Sequence, residues 1–317
     1  MRIKDPFKQY KEYGIPLWQC PPFLFLIMGI VIIFSMVFVY AIGTRLLNDP
    51  YLINLIILGI TAALLIIAFI ITNSFERLAE ANRLKSEFVS IVSHQLRAPL
   101  SNFIWALDFL MTGERSGKDI TGYFNILKEN ASRMRNLVND LLAVSRIQSG
   151  KLPFDKQEFS FTELVGQVVD EFRPMVQAAN IRLRIEGAKD LPLVRSDPNR
   201  LKEVIANFVD NAIRYAWKEE DAKERRGEEK QVIVRFRTQD KQVRFEVEDN
   251  GLGISAEDQR FIFEKFFRSE RARRHETHGS GLGLYIAKSI IQRAGGIMGF
   301  NSKENQGSTF WFSIPIS

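Results

Sequence analysis

Leu84-Lys85-Ser86-Glu87-Phe88-Val89-Ser90-Ile91-Val92-Ser93-His94-Gln95-Leu96-Arg97-Ala98-Pro99-Leu100 is the stretch on which the architecture turns. Leu84, Phe88, Ile91 and Val92 recur at three- and four-residue spacing, which predicts a helix with one apolar stripe. Pro99 lacks the amide that would bond the carbonyl of Gln95, so a bend is expected just after His94. The pattern resumes through Phe103, Leu107 and Leu110 and breaks at Thr112-Gly113. A second helix is predicted over residues 120–147, with Ile126, Met134, Leu137, Leu141 and Leu142 inward and Gly150 capping its end. Two such helices do not close a core alone, and pairing with a second copy gives a four-helix bundle.

Upstream lie two uncharged runs, residues 23–42 (twenty) and 51–71 (twenty-one). Each is long enough to cross a hydrocarbon core of ~30 Å as a helix. A signal peptide is the alternative for the first, but such apolar regions run to roughly 7–15 residues and end at a small-residue cleavage site, which does not follow here. A buried soluble hairpin is the alternative for both. Residues 43–50 make a turn, too short for an external sensing domain. Arg2, Lys4, Lys8 and Lys11 precede the runs and Arg77, Arg83 and Lys85 follow them, while the turn carries Arg45 offset by Asp49. An excess of Lys and Arg marks the cytoplasmic side, so a multi-pass membrane protein with both termini in the cytoplasm is expected.

The formal charge of +6 raises nucleic acid as a partner, but the basic residues are interspersed with acidic ones and form no stripe with aromatics, so none is expected. The single cysteine, Cys20, excludes an intrachain disulfide and a cysteine metal cluster. It is a filler beside the membrane or a lipid attachment point.

Downstream of Gly150 the composition turns to mixed α/β. Residues 232–236 and 243–247 read as a strand hairpin and 309–314 as a closing strand, with helices over 162–179, 198–217 and 283–294. This mixture predicts an antiparallel or mixed sheet with helices on one face. In Asn207-Phe208-Val209-Asp210-Asn211 the asparagines share a helix face, and an Asn carbonyl suits Mg2+ beside phosphates; two merely exposed asparagines are the alternative. In Asp249-Asn250-Gly251-Leu252-Gly253-Ile254 a carboxylate at a strand end can accept from an adenine amino group, and the glycines admit close backbone approach. A plain turn is the competing reading. Phe263-Glu264-Lys265-Phe266-Phe267-Arg268 reads as the base of a mobile loop, with Arg268 placed to reach phosphate. Gly279-Ser280-Gly281-Leu282-Gly283-Leu284 opens a helix whose free amides suit phosphate oxygens. A dinucleotide fold would want that motif after the first strand of a βαβ unit, which this position does not offer.

The run around His94 resembles the H box of sensor histidine kinases. The four later segments resemble the N, first glycine, F and second glycine boxes of their catalytic domain. That ATP-binding fold is shared with gyrase, mismatch-repair ATPases and a heat-shock chaperone. The resemblance covers residues 75–317. It implies a multidomain chain: a cytoplasmic tail (1–22), a two-helix transmembrane hairpin (23–71), a dimerisation and histidine phosphotransfer domain (72–149), and an α/β sandwich that binds ATP (150–317). It further implies ATP with Mg2+, a homodimer, and a response-regulator receiver domain as partner. His94 is then the phosphate acceptor, with Gln95 and Arg97 beside it. Asn207 and Asn211 line the nucleotide, Asn211 holding Mg2+, with Arg214 and Tyr215 adjoining. Asp249, Gly251, Gly253 and Ile254 surround adenine, with Thr309 on the closing strand. Phe263 and Arg268 begin a lid over residues 268–280, which Gly279, Ser280, Gly281, Leu282, Gly283 and Leu284 complete.

Three departures bear on activity. Gln95 stands where most members of the family have Glu or Asp, so it can hydrogen-bond the ring but cannot act as a base at neutral pH. Ala98 replaces the Thr or Asn that positions water, which predicts weak phosphatase activity. Asn207 occupies the place of the general-base Glu of water-activating relatives, which favours transfer to a side chain over hydrolysis. A catalytically silent scaffold and an ATP hydrolase remain as rivals. His275 and His278 have spacing that would suit a metal, but their charged surroundings argue against one. Residues 218–230 read as a solvated insertion or a partner surface. The signal is sensed in the bilayer, through another membrane protein, or through lipid state.

Overall fold

A computed structural model describes residues 21–46, 49–111, 117–188, 191–216, 229–276 and 279–316. The expected tail with Cys20, the break at Thr112-Gly113, most of the charged insertion, and His278 lie outside these residues, as do the side chains of Leu84 and Phe88. The chain divides into two compact units, Met1–His94 and Gln95–Ser317.

The first unit holds α1 (Pro21–Leu46) and most of α2 (Pro50–Met111). Two segments, Phe25–Leu46 and Pro50–Phe75, are long and apolar enough to cross a membrane by length and composition. Their outward faces are rich in large apolar side chains such as Phe34 and Phe69. Ile32, Ile53 and Ala68 are buried, and the buried Gly43 lets α1 meet α2, since a Cβ there would lie 3.0 Å from Ile53 Cγ2. The Asp49 carboxylate accepts from the Tyr51 amide at 2.9 Å and starts α2. Where the sequence suggests a span ending at residue 71 and a new helix from 74, one helix runs through. No glycine or proline intervenes, and the Ser74 hydroxyl is absorbed by the Ile70 carbonyl at 2.7 Å.

In the second unit α2 continues as helix through Pro99 as far as Met111. It pairs with α3 (Gly117–Gln148). Ala106 of α2 and Asn130, Leu137 and Val144 of α3 are buried, and Trp105, Phe109 and Tyr123 cluster between the two helices toward one end. Ile126, Met134 and Leu141 are half-buried as expected, but Leu142 is 50% exposed. It joins Leu100, Ile104, Leu107 and Met111 as apolar side chains that this one chain leaves uncovered. The end of α3 follows the expected cap: Gly150 adopts φ 68°, its amide bonds the Ile147 carbonyl, and Lys151 bonds that of Arg146.

The α/β portion comprises β1 (Gln157–Phe159), α4 (Phe161–Ala178), β2 (Arg182–Gly187), β3 (Val194–Ser196), α5 (Pro198–Arg214), β4 (Gln231–Gln239), β5 (Gln242–Asp249), α6 (Glu270–His275), α7 (Gly283–Arg293), β6 (Ile297–Lys303) and β7 (Gly307–Pro315). The main sheet runs β2-β4-β5-β7-β6, with β2 parallel to β4 and the other pairs antiparallel. This is the mixed sheet expected. Strands β1, β2, β3 and β6 are additions to the sequence reading. Val243, Phe245, Val247 and Asp249 alternate onto one face of β5, and Ser308, Phe310, Phe312 and Ile314 onto the same face of β7. Phe161 of α4 and Phe208 of α5 pack on this face against Phe245 and Phe312. β2 is an edge strand, mostly exposed, with Arg182 paired to Glu229 and Glu186 to Arg235.

Candidate functional site

Asp197 caps α5, accepting from the amides of Asn199 and Arg200 at 3.0 and 3.1 Å. The helix buries Leu201, Val204, Ile205 and Phe208. That phase carries Asn207 and Asn211 together along one edge, where the Asn211 amide donates to the Asn207 side-chain carbonyl at 3.1 Å. This bond leaves the Asn211 carbonyl oxygen out, the atom a hard cation would want. Arg214 bonds Asp210 at 2.6 Å. Burial pulls its guanidinium down, but the Asp210 carboxylate outweighs this and raises it, so the cation is permanent. The helix ends at Tyr215, whose carbonyl accepts from the Leu252 amide at 3.1 Å.

That bond ties α5 to the glycine turn after β5. Asp249 is buried at the strand end, on the helix-covered face, and its carboxylate accepts from the Gly251 amide at 2.8 Å. A Cβ on Gly251 would lie 2.2 Å from the Tyr215 carbonyl oxygen. One on Gly253, at φ 62°, would lie 2.0 Å from that of Lys303. Both positions therefore demand glycine. The Ile254 amide donates to Ser302 Oγ at 2.9 Å.

Register places Ser308 opposite Asp249, and Thr309 opposite Glu248. Thr309 thus belongs to the other face of the sheet from Asp249, and the buried hydroxyl beside the carboxylate is that of Ser308. Alternation along the strand was the available signal, since Phe310 and Phe312 fix the inward phase. Gly307, where a Cβ would meet the Asp249 carbonyl oxygen at 2.0 Å, is a second residue the sequence reading did not single out.

The lid base is stitched by backbone. Phe263 packs edge-on against Phe300 with Lys288 over its ring. The Phe266 amide donates to the Gly281 carbonyl at 2.9 Å. Arg268, expected near phosphate, donates to the carbonyls of Gly279 at 3.1 Å, Ala272 at 3.2 Å and Glu276, so it braces the loop. A His275 ring nitrogen sits 2.9 Å from the Ala216 carbonyl oxygen.

Gly283 opens α7 against Asn207: a Cβ there would lie 2.0 Å from Asn207 Nδ2. Leu282 precedes the helix without a side-chain cap. The start of α7, carrying Gly283 and Leu284, and the asparagine edge thus adjoin, a fit for phosphate and its metal ion. Ser280 contacts the helical hairpin. Its hydroxyl donates to Asp140 of α3 at 2.8 Å, and its carbonyl accepts from the Gln95 side chain at 3.2 Å. Burial pushes the Asp140 carboxyl up, partly offset by this hydrogen bond. In the other unit His94 is exposed on α2, and Arg97 and Ala98 are exposed further along the helix.

Two family models match the chain. Residues 84–150 match the His Kinase A (phospho-acceptor) domain, and 196–317 match the histidine kinase-, DNA gyrase B- and HSP90-like ATPase. The sensor protein GacS of Pseudomonas syringae pv. syringae is 30% identical over 243 residues, covering 75% of this chain and 26% of GacS. The chain therefore spans about a quarter of the length of that relative. Among solved structures, the Acinetobacter baumannii histidine kinase AdeS superposes with TM-score 0.55 at 22% identity, over 71% of this chain and 98% of that one. The histidine kinase ThkA, solved in complex with the response regulator TrrA, gives TM-score 0.55 at 24% identity, over 75% and 64%. These likenesses extend the fold across both the helical hairpin and the α/β portion.

Proposed function

We propose, from the premise that this chain belongs to the sensor histidine kinases, that it transfers the γ-phosphate of ATP to His94 and then to an aspartate of a response regulator. The observation that carries the donor half is the buried Asp249 carboxylate set among glycines that tolerate no side chain, on the sheet face that α5 and α7 cover. Asp249 reads the adenine amino group, and the start of α7 receives phosphate. Mg2+ held by Asn211 would neutralise charge on the phosphates. A neutral imidazole nitrogen attacks the γ-phosphorus, the bond to the β-γ bridging oxygen breaks, and ADP leaves. The resulting phosphoramidate is labile enough to pass its phosphoryl group to a carboxylate. The ThkA complex supports a response regulator as acceptor. Asn207 in place of a water-activating carboxylate supports side-chain transfer.

The uncovered apolar residues of α2 and α3 support a homodimer built on a four-helix bundle. Lys and Arg flanking α1 and α2 support a membrane hairpin with both ends in the cytoplasm. Incubation with γ-labelled ATP should give acid-labile label that His94→Ala abolishes; label persisting in that variant overturns the assignment. The exposed methyl of Ala98 supports weak phosphatase activity. Ala98→Thr should speed dephosphorylation of the regulator, and strong activity in the unmodified chain would contradict this reading.

A further inference from the structure

Ser280 is held by both helices of the hairpin. Its hydroxyl proton goes to Asp140 Oδ2 at 2.8 Å, and its oxygen accepts from the Leu282 amide at 3.2 Å. Gln95 Nε2 donates to its carbonyl at 3.2 Å. The Ser280 hydroxyl and the Leu282 amide are donors that the turn into α7 would present to a phosphate. In this arrangement both are engaged, one by a carboxylate and the other by the hydroxyl that the carboxylate orients. Asp140 is half-buried, and Glu203 of α5, an exposed residue paired with Arg200, lies close enough to feel its charge. A phosphate approaching the turn therefore meets acceptors already in place and like charge behind them.

We propose that Asp140 is a positioning residue that sets nucleotide affinity: by holding Ser280, and through it the Leu282 amide, it makes the phosphate displace a carboxylate before it can take these donors. The inference rests on the nucleotide reading above and adds a residue outside the motif segments. Asp140 acts on the phosphate end alone, because the adenine pocket around Asp249 is built from β5, β7 and Tyr215.

The test compares ATP·Mg2+ with AMP by titration calorimetry on the full chain in detergent. Asp140→Ala should tighten ATP by about five-fold or more, the lower end of typical coupling between sites, and leave AMP unchanged. Asp140→Asn, which can still accept from Ser280 without the charge, should fall between. A purely structural role would move both ligands together, and that outcome, or ATP affinity unchanged or weakened, overturns the proposal. If the unmodified chain binds no ATP, the nucleotide reading fails first, before any variant is compared. The contact itself is read separately in a Cys20→Ser chain carrying Asp140→Cys and Ser280→Cys. Oxidation should cross-link the pair without nucleotide, and saturating ATP·Mg2+ should slow it. No cross-link, or one formed equally fast with ATP, overturns the latch.

Discussion

The α/β portion and the helical hairpin bury their apolar residues to very different degrees. In the former, Phe161, Phe245 and Phe312 are wholly excluded from solvent, Phe245 stacking on Phe312 and Phe161 meeting both edge-on, within a closed sheet-and-helix core. In the latter, Ala106 and Val144 are excluded, yet Ile104 remains 48% exposed and Met111 81%. One region closes its core within a single chain, and the other leaves large apolar side chains uncovered. The contrast assigns them different tasks: a self-sufficient body that holds nucleotide, and a platform whose stability depends on what covers it.

The largest effect should come from attacking the closed core. Phe245→Ala removes a ring packed against Phe161, Phe208 and Phe312, at a cost of about 3–5 kcal/mol. Nucleotide binding should be lost while most helical circular dichroism persists; joint loss of both would break the contrast. Ile104→Asp attacks the open face instead. It should shift the chain toward monomer in analytical ultracentrifugation while ATP affinity holds, and an unchanged dimer would place the interface elsewhere. A matched pair of glycine substitutions sharpens the difference further. Gly253→Ala forces a side chain into φ 62° against the Lys303 carbonyl and should cost about 1–3 kcal/mol. Gly122→Ala in α3 meets nothing within 4 Å and should stabilise by about 0.5–1 kcal/mol, both read as shifts in thermal midpoint.

The smallest effect is a pH dependence at Asp140, where the two regions touch. Burial raises this carboxyl in the folded state. A raised folded pKa favours folding in the protonated form, so its contribution is complete below the ordinary carboxylate range and lost as pH rises through the folded value. Asp140→Asn should flatten that part of the stability profile, and an unaltered slope would assign it to another acid.

Periodicity made the helices legible, and the glycine segments made the tight turns after β5 and before α7 legible, because both signals are local. β2 escaped because Arg182-Leu183-Arg184-Ile185-Glu186-Gly187 is an edge strand whose charges mask the apolar alternation that marks a buried one. β6 escaped for its two small residues, Gly299 under Trp311 and Ser302 beneath the turn. The join of span and H-box helix escaped because the composition changes there while the backbone does not. The motif leads to a phosphate role for Arg268 and says nothing of its carbonyl partners, whose positions depend on how the lid folds back. The Asp140–Ser280 contact bridges 140 residues and leaves no trace in either segment's pattern.

The charged edge strand has a consequence for assembly. An open sheet edge is a template for another sheet, and two copies held side by side on a membrane would meet at high local concentration. Arg182, Arg184 and Glu186 crowd β2 with side chains that must be stripped of water before a second strand could align. Such an edge discourages two copies, in the dimer proposed above, from zipping through their sheets, and so would leave each α/β body unfused to its twin.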